Sequence, residues 1–158
     1  MPIQRPRPTY RLRDIHAITP AWLQAQGLKA VFLDLDNTLD GYKTALPSPR
    51  SAAWLTALPK AGFPVAILSN NREERVGFYC RPLDIPYVAR AGKPQPDTLL
   101  AQAAAMGLAP AEVLMVGDQV RTDIRAANRA GMPCAWVEPV KNNAFYTVRR
   151  WIERLWAR

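Results

Sequence analysis

Residues 31–42 read VFLDLDNTLDGY, and this stretch decides the fold. Val31, Phe32 and Leu33 open it as a buried strand, near-continuously apolar as a central parallel strand is. Asp34 and Asp36 then flank Leu35. Side chains on a strand repeat every two residues, so both carboxylates are expected on one side as the strand reaches its C-terminal edge. Two such groups repel, and burying them is costly unless a cation holds them. The stretch predicts a strand that ends in a site.

Outward from that strand, apolar runs and helical patterns alternate. DIHAITPAWLQAQG (14–27) reads as a helix stopped by Gly27. PRSAAWLTALPKAG fits a helix with Pro49 in its first turn and Gly62 at its end. FPVAILSN is a strand followed by the helix NREERVGFYCRPL, and IPYVARAGKP a short strand running into a loop. PDTLLAQAAAMG is a helix, EVLMVGD a strand, RTDIRAANRAG a helix and MPCAWVEP the last strand. Such alternation predicts an α/β fold in three layers, α/β/α, with a mainly parallel sheet covered on both faces. The expected organisation is a single domain over residues 1–158. It comprises an N-terminal helix at 14–27, a core at 28–138 and a basic C-terminal helix at 144–157.

Composition excludes several classes. With 49 % hydrophobic and 22 % charged residues, the chain reads as globular rather than disordered. The start, MPIQRPRPTYRLRD, lacks the apolar stretch of a signal peptide, and no run approaches a membrane span. Cys80 and Cys134 form no CxxC pair, so free buried thiols and a reducing, cytoplasmic compartment are expected. The net charge of +8 is confined to the two ends. Residues 1–13 carry four arginines. Residues 141–158 carry Lys141, Arg149, Arg150, Arg154 and Arg158 against Glu153.

In open parallel sheets, ligands bind at the carboxyl ends of the strands. Those ends supply Asp34 and Asp36, then Ser69 and Asn70, then Lys93, then Asp118 with Asp123 five residues on. Acids, a lysine and small hydrogen-bonding groups on one edge make a site for Mg²⁺ and phosphate, because Mg²⁺ takes oxygen ligands. Asp34 and Asp118 are the expected side-chain ligands, with Asp123 ligating through water or orienting the others. A carboxylate there can attack phosphorus, a metal and Lys93 can neutralise charge, and Asp36 can serve as acid and base.

DLDNTL, LSNN, GKP and VGDQVRTD resemble, in order, the four motifs of the haloacid dehalogenase (HAD) superfamily. The resemblance implies a Rossmannoid HAD-like fold. It makes Asp34 the nucleophile, Asp36 the acid/base and a Mg²⁺ ligand through its backbone carbonyl, and Thr38 a support for the loop. It also gives Ser69 and Asn70 to the phosphoryl group, makes Lys93 the motif lysine, and gives Asp118 and Asp123 to the metal. The opening DIHAITPAWLQAQGLKAVFLDLDNTL, SNN followed by Arg72–Glu73–Arg75, the AGKP loop and the basic C-terminal helix are similar to the YqeG-like group of subclass IIIA phosphatases. The mitochondrial phosphatidylglycerophosphate phosphatase is similar to that group. Short intervals from Asp36 to Ser69 and from Asn71 to Lys93 leave no room for a large cap domain.

The expected activity is therefore Mg²⁺-dependent hydrolysis of a phosphomonoester through an aspartyl-phosphate, with a lipid head group such as phosphatidylglycerophosphate as substrate. The rivals are a phosphatase of small soluble phosphates (sugar phosphate or nucleotide) and a non-catalytic module binding RNA, a ribosome or a membrane. The complete acid set argues against the module, and no recognised nucleic-acid motif is present. Arg72 and Arg75 read as a solvated helix face, His16 as structural, and Lys43 as a flap residue away from substrate. Asp40–Gly41 departs from the group's pattern and leaves the role of the Asp40–Tyr42 flap open. The C-terminal Val148, Trp151, Ile152 and Leu155 form an apolar stripe expected to dock on the domain. The arginines off that stripe stay available to an anionic membrane at its inner face. The oligomeric state is left open.

Overall fold

A computed structural model describes residues 5–42, 44–140 and 144–157, so Lys43, Lys141 and Arg158 lie outside the described residues. Six parallel strands form one sheet: β1 (Tyr10–Leu12), β2 (Ala30–Leu33), β3 (Val65–Leu68), β4 (Tyr87–Val88), β5 (Val113–Gly117) and β6 (Cys134–Val137). Their order across the sheet is β1-β6-β5-β2-β3-β4, with β2 flanked by β3 and β5. The winding reverses at β2, which opens a crevice at the carboxyl ends of β2 and β5.

The period of two sorts β2 between two cores. Val31, Leu33 and Leu35 pack with Leu23 of α1 (Pro20–Ala25), Leu55 and Leu58 of α2 (Pro49–Lys60), and Val76 and Tyr79 of α3 (Glu73–Cys80). Ala30 and Phe32 pack on the other side with Leu99 and Ala103 of α4 (Asp97–Ala105) and the alanines of α5 (Arg125–Ala130). Both faces are thus covered, giving the expected three layers. The connections after β2 and β3 carry α2 and α3 and, among the described residues, no cap. Cys80 and Cys134 are buried free thiols. Among the described residues no helix is long and apolar enough to cross a membrane.

Three expectations are corrected. The helix at 14–27 is split into a 3-10 turn (Ile15–Ala17) and α1. Pro20 forces the preceding Thr19 out to an extended backbone, and the Thr19 hydroxyl then caps α1 by accepting from the Trp22 N–H at 3.1 Å. The N-terminal arm, which gave no strand signal, adds β1 beside β6; three residues are too short to show periodicity. The last helix, α6 (Ala144–Trp156), docks opposite to expectation. Its polar side is buried, with Arg150 8 % and Glu153 3 % exposed, while Trp151 is 63 % and Val148 58 % exposed. Specific polar partners decide this. The Arg150 guanidinium donates to the Val137 carbonyl at 2.8 Å and the Asp118 carbonyl at 3.2 Å, and lies 3.9 Å over the Trp136 ring.

Candidate active site

β2 ends at Leu33, one residue short of the site, so Asp34 and Asp36 sit on the turn leaving the strand. Asp34 keeps a sheet bond, its N–H donating to the Val116 carbonyl at 3.0 Å. Asn37 takes a left-handed backbone (φ 61°), and its N–H donates to the Asp40 carbonyl at 2.7 Å, closing the turn. Asp40, whose role the sequence leaves open, is buried. One of its carboxylate oxygens accepts from the Tyr79 hydroxyl at 2.6 Å and from the Ser48 N–H at 3.0 Å. It ties the flap to α3 and to the start of α2.

Lys93 is the hub. Its ammonium donates to Asp34 at 3.0 Å and to Asp123 at 2.6 Å, all three side chains being nearly inaccessible. Asn70 places it: the Asn70 amide accepts from the Lys93 N–H at 2.9 Å and donates to the Lys93 carbonyl at 2.8 Å. Ser69 is buried, its hydroxyl accepting from the Asn71 N–H at 3.1 Å. Asp123 stands on a π-turn (Val120–Ile124) and also accepts from the Gln119 N–H at 3.2 Å. Gly117 makes room for it, since a Cβ there would collide with the Asp123 carboxylate. Asp118, fully buried, receives Arg149 of α6 at 2.9 Å and the Thr38 hydroxyl at 3.5 Å.

Carboxylate oxygens of Asp34, Asp118 and Asp123 lie within 4.8 Å of one another. Three acids face two cations, Lys93 and Arg149, which leaves negative charge uncompensated. Burial, then Asp123, pushes the Asp34 carboxyl up to about 7 against the pull of Lys93. Burial, then Asp34 and Asp123, pushes Asp118 up to about 8, opposed by Arg149. Burial alone would lower Lys93, but Asp123 and Asp34 outweigh it and hold the ammonium above its ordinary range. An all-oxygen, electron-rich triad of this kind fits a hard divalent cation.

Asp36 is set apart from the triad. Its two oxygens accept from the Asn71 amide and from Arg75, each at 3.0 Å. Arg75 is therefore not a solvated helix residue; it is mostly buried and orients Asp36. Asn71, Arg75 and Arg149 are the site residues that sequence reasoning missed. Asn71 and Arg75 carried a signal, since they follow Ser69 by two and six residues as the chain leaves β3 for α3. Arg149 had none, being 31 residues from Asp118. Asp34, Asp36, Asn70, Lys93 and Arg149 line one open cavity of about 380 Å³, with the exposed Tyr42 at its rim.

Residues 11–131 match the model of the haloacid dehalogenase-like hydrolases. The chain belongs to that family. A "Probable phosphatase YqeG" from Bacillus subtilis is 33 % identical over 145 residues, spanning 90 % of this chain and 84 % of the relative. Phosphoglycolate phosphatase from Escherichia coli is 39 % identical over 94 residues, 54 % of this chain but only 37 % of that protein. A cobalt-bound deoxy-D-mannose-octulosonate 8-phosphate phosphatase from Haemophilus influenzae shares the fold, with a TM-score of 0.59 at 16 % identity over 71 % of this chain and 69 % of that chain. As a HAD-like hydrolase with these relatives the protein is an enzyme of the phosphatase type. Its buried triad is where such an enzyme can hold a divalent metal.

Proposed function

We propose that the protein is a Mg²⁺-dependent phosphomonoester hydrolase that works through an aspartyl-phosphate on Asp34. The observation that carries this is the convergence of Asp34, Asp118 and Asp123, with the buried Lys93 ammonium bridging Asp34 and Asp123. Mg²⁺ suits an all-oxygen site, and when bound it supplies charge neutralisation between carboxylate and phosphate. Asp34, Asp118, Asp123 and the Asp36 backbone carbonyl are its proposed ligands.

An Asp34 oxygen attacks phosphorus, and the bond from phosphorus to the leaving oxygen breaks. Protonated Asp36 gives that oxygen its proton, so the substrate leaves as an alcohol. Asp36, now a carboxylate, takes a proton from water. The resulting hydroxide attacks phosphorus, breaks its bond to Asp34, and releases phosphate. Lys93 stays cationic throughout and neutralises charge on the transferring group. Ser69 and Asn70 shape the phosphoryl pocket, Asn70 by clipping Lys93 in place. Thr38 steadies Asp118. For Asp36 to reach the leaving oxygen, one of its two oxygens must part from Arg75 or Asn71 during the cycle.

The open, uncapped cavity supports a substrate larger than the phosphate itself, and we assign a phosphorylated glycerolipid head group such as phosphatidylglycerophosphate. A small soluble phosphate is the second reading, favoured by the partial similarity to phosphoglycolate phosphatase. Release of phosphate from vesicle-borne and soluble monoesters, with Mg²⁺ and with chelator, decides between them. The mechanism itself fails if Asp34→Asn retains wild-type turnover.

A further inference from the structure

The way α6 docks leaves a surface that the catalytic site does not use. At 100° per residue, Arg149, Arg150, Glu153 and Ala157 fall on one side of the helix axis, and the last three of these are buried. Val148, Trp151, Ile152 and Leu155 fall on the opposite side and are exposed, as is Trp156 at the edge next to Arg149. The helix therefore turns a continuous apolar stripe, two tryptophans included, toward solvent. Cations border the stripe on both flanks. On one, Arg154 joins Arg11, Arg13 and Arg150 around a cavity of about 460 Å³ floored by Trp136. On the other, Arg121 stacks on Trp156 at 5.0 Å. The pairing of β1 with β6 is what gathers the basic N-terminal arm beside the basic C-terminal helix. Arg11 and Arg13 of the arm thereby share one face with Arg154 of the helix.

We propose that this face docks the enzyme on an anionic phospholipid bilayer, the stripe entering the headgroup–acyl boundary and the arginines meeting lipid phosphates. Charge decides the occupant. A second copy of the chain would set one arginine rim against another. A polyanion such as RNA would pair with the arginines but leave Val148, Ile152 and Leu155 in water. A surface that is apolar within and anionic at its rim satisfies both features. Helix α6 also delivers Arg149 to Asp118, which ties the docking helix to the active site. The surface carries this inference on its own and does not depend on the substrate assigned above.

The experiment is flotation of the full chain with phosphatidylcholine vesicles, with and without phosphatidylglycerol, at low and high salt. The controls are Trp151→Ser/Ile152→Ser and Arg11→Glu/Arg154→Glu. Binding to the anionic vesicles alone, weakened by salt and reduced at least about tenfold in either double variant, is the expected result. Equal binding to neutral vesicles, no binding at low salt, or unchanged binding of the stripe variant overturns the proposal. So does a dimer that the stripe variant converts to a monomer without any vesicle binding. Hydrolysis of p-nitrophenyl phosphate by the stripe variant shows that it is folded. Loss of that activity in the wild type would instead count against the proposed mechanism and leave the flotation result standing.

Discussion

Raising the pH from about 6.5 to 8 is expected to destabilise the metal-free protein, over a range in which many folded proteins are near their most stable. Asp34 and Asp118 are raised to about 7 and about 8 by burial and by the neighbouring acids. Unfolded, both titrate near about 4. Between those values the folded chain holds protons that the unfolded chain has lost, so stability falls as pH rises, by up to about 1.4 kcal/mol per pH unit for each carboxyl. His16 acts in the opposite sense, since burial lowers it, but its effect ends near the unfolded value of about 6.5. Above that value the two acids dominate. The two titrations share one repulsion and are not additive, so the expected loss up to pH 8 is about 2 kcal/mol, or roughly 4–8 °C in Tm for a chain of this size.

A divalent ion is expected to flatten the slope, because the metal-bound acids, like those of the unfolded chain, hold no protons in this range. It replaces the shared protons as the counter-charge, and it competes best where protons are scarce. Thermal melts in chelator and in millimolar Mg²⁺, across pH 6.5 to 8, give the test. The Mg²⁺-induced rise in Tm is expected to grow with pH, and Asp118→Asn is expected to remove most of both effects. A chelated protein whose Tm is flat or rising over this window refutes the charge balance drawn for the triad. A Mg²⁺ shift of equal size at both ends of the window refutes it too.

Three further substitutions probe single links. Gly117→Ala drives a methyl group into the Asp123 carboxylate, and hydrolysis of p-nitrophenyl phosphate is expected to fall by about 10²-fold or more with the circular dichroism spectrum unchanged. Arg75→Met loosens Asp36 without removing it. Turnover is expected to drop by about tenfold, against about 10²–10⁴-fold for Asp36→Asn, and the pH–rate profile is expected to shift in Arg75→Met, which a merely structural arginine would not cause. Tyr79→Phe removes the donor to buried Asp40, and urea unfolding is expected to show a loss of about 2 kcal/mol.

The layered fold and the acid–lysine centre were legible because they depend on local pattern and strand-end position. Val31, Phe32 and Leu33 had to be a central strand, and whatever followed each parallel strand had to meet at one edge. That reasoning placed Asp34, Ser69, Lys93 and Asp118 without any contact being known. It failed where long-range polar pairing competes with hydrophobic pattern. The stripe of α6 argued for docking by its apolar side, since burying a large apolar side chain is worth about 2–3 kcal/mol. An acidic centre that leaves negative charge uncompensated presents a larger demand, because a buried carboxylate without a partner costs several kcal/mol. Arg149 meets the Asp118 carboxylate, Arg150 meets two carbonyls and the Trp136 ring, and the helix turns its oily side outward as a result. Arg75 misled in the same way: helical spacing put it on a polar face, but that face looks onto Asp36 rather than water. A basic residue near a cluster of acids can therefore be assigned to solvent only after the acids' charge has been balanced. In this chain Lys93 alone could not balance three carboxylates.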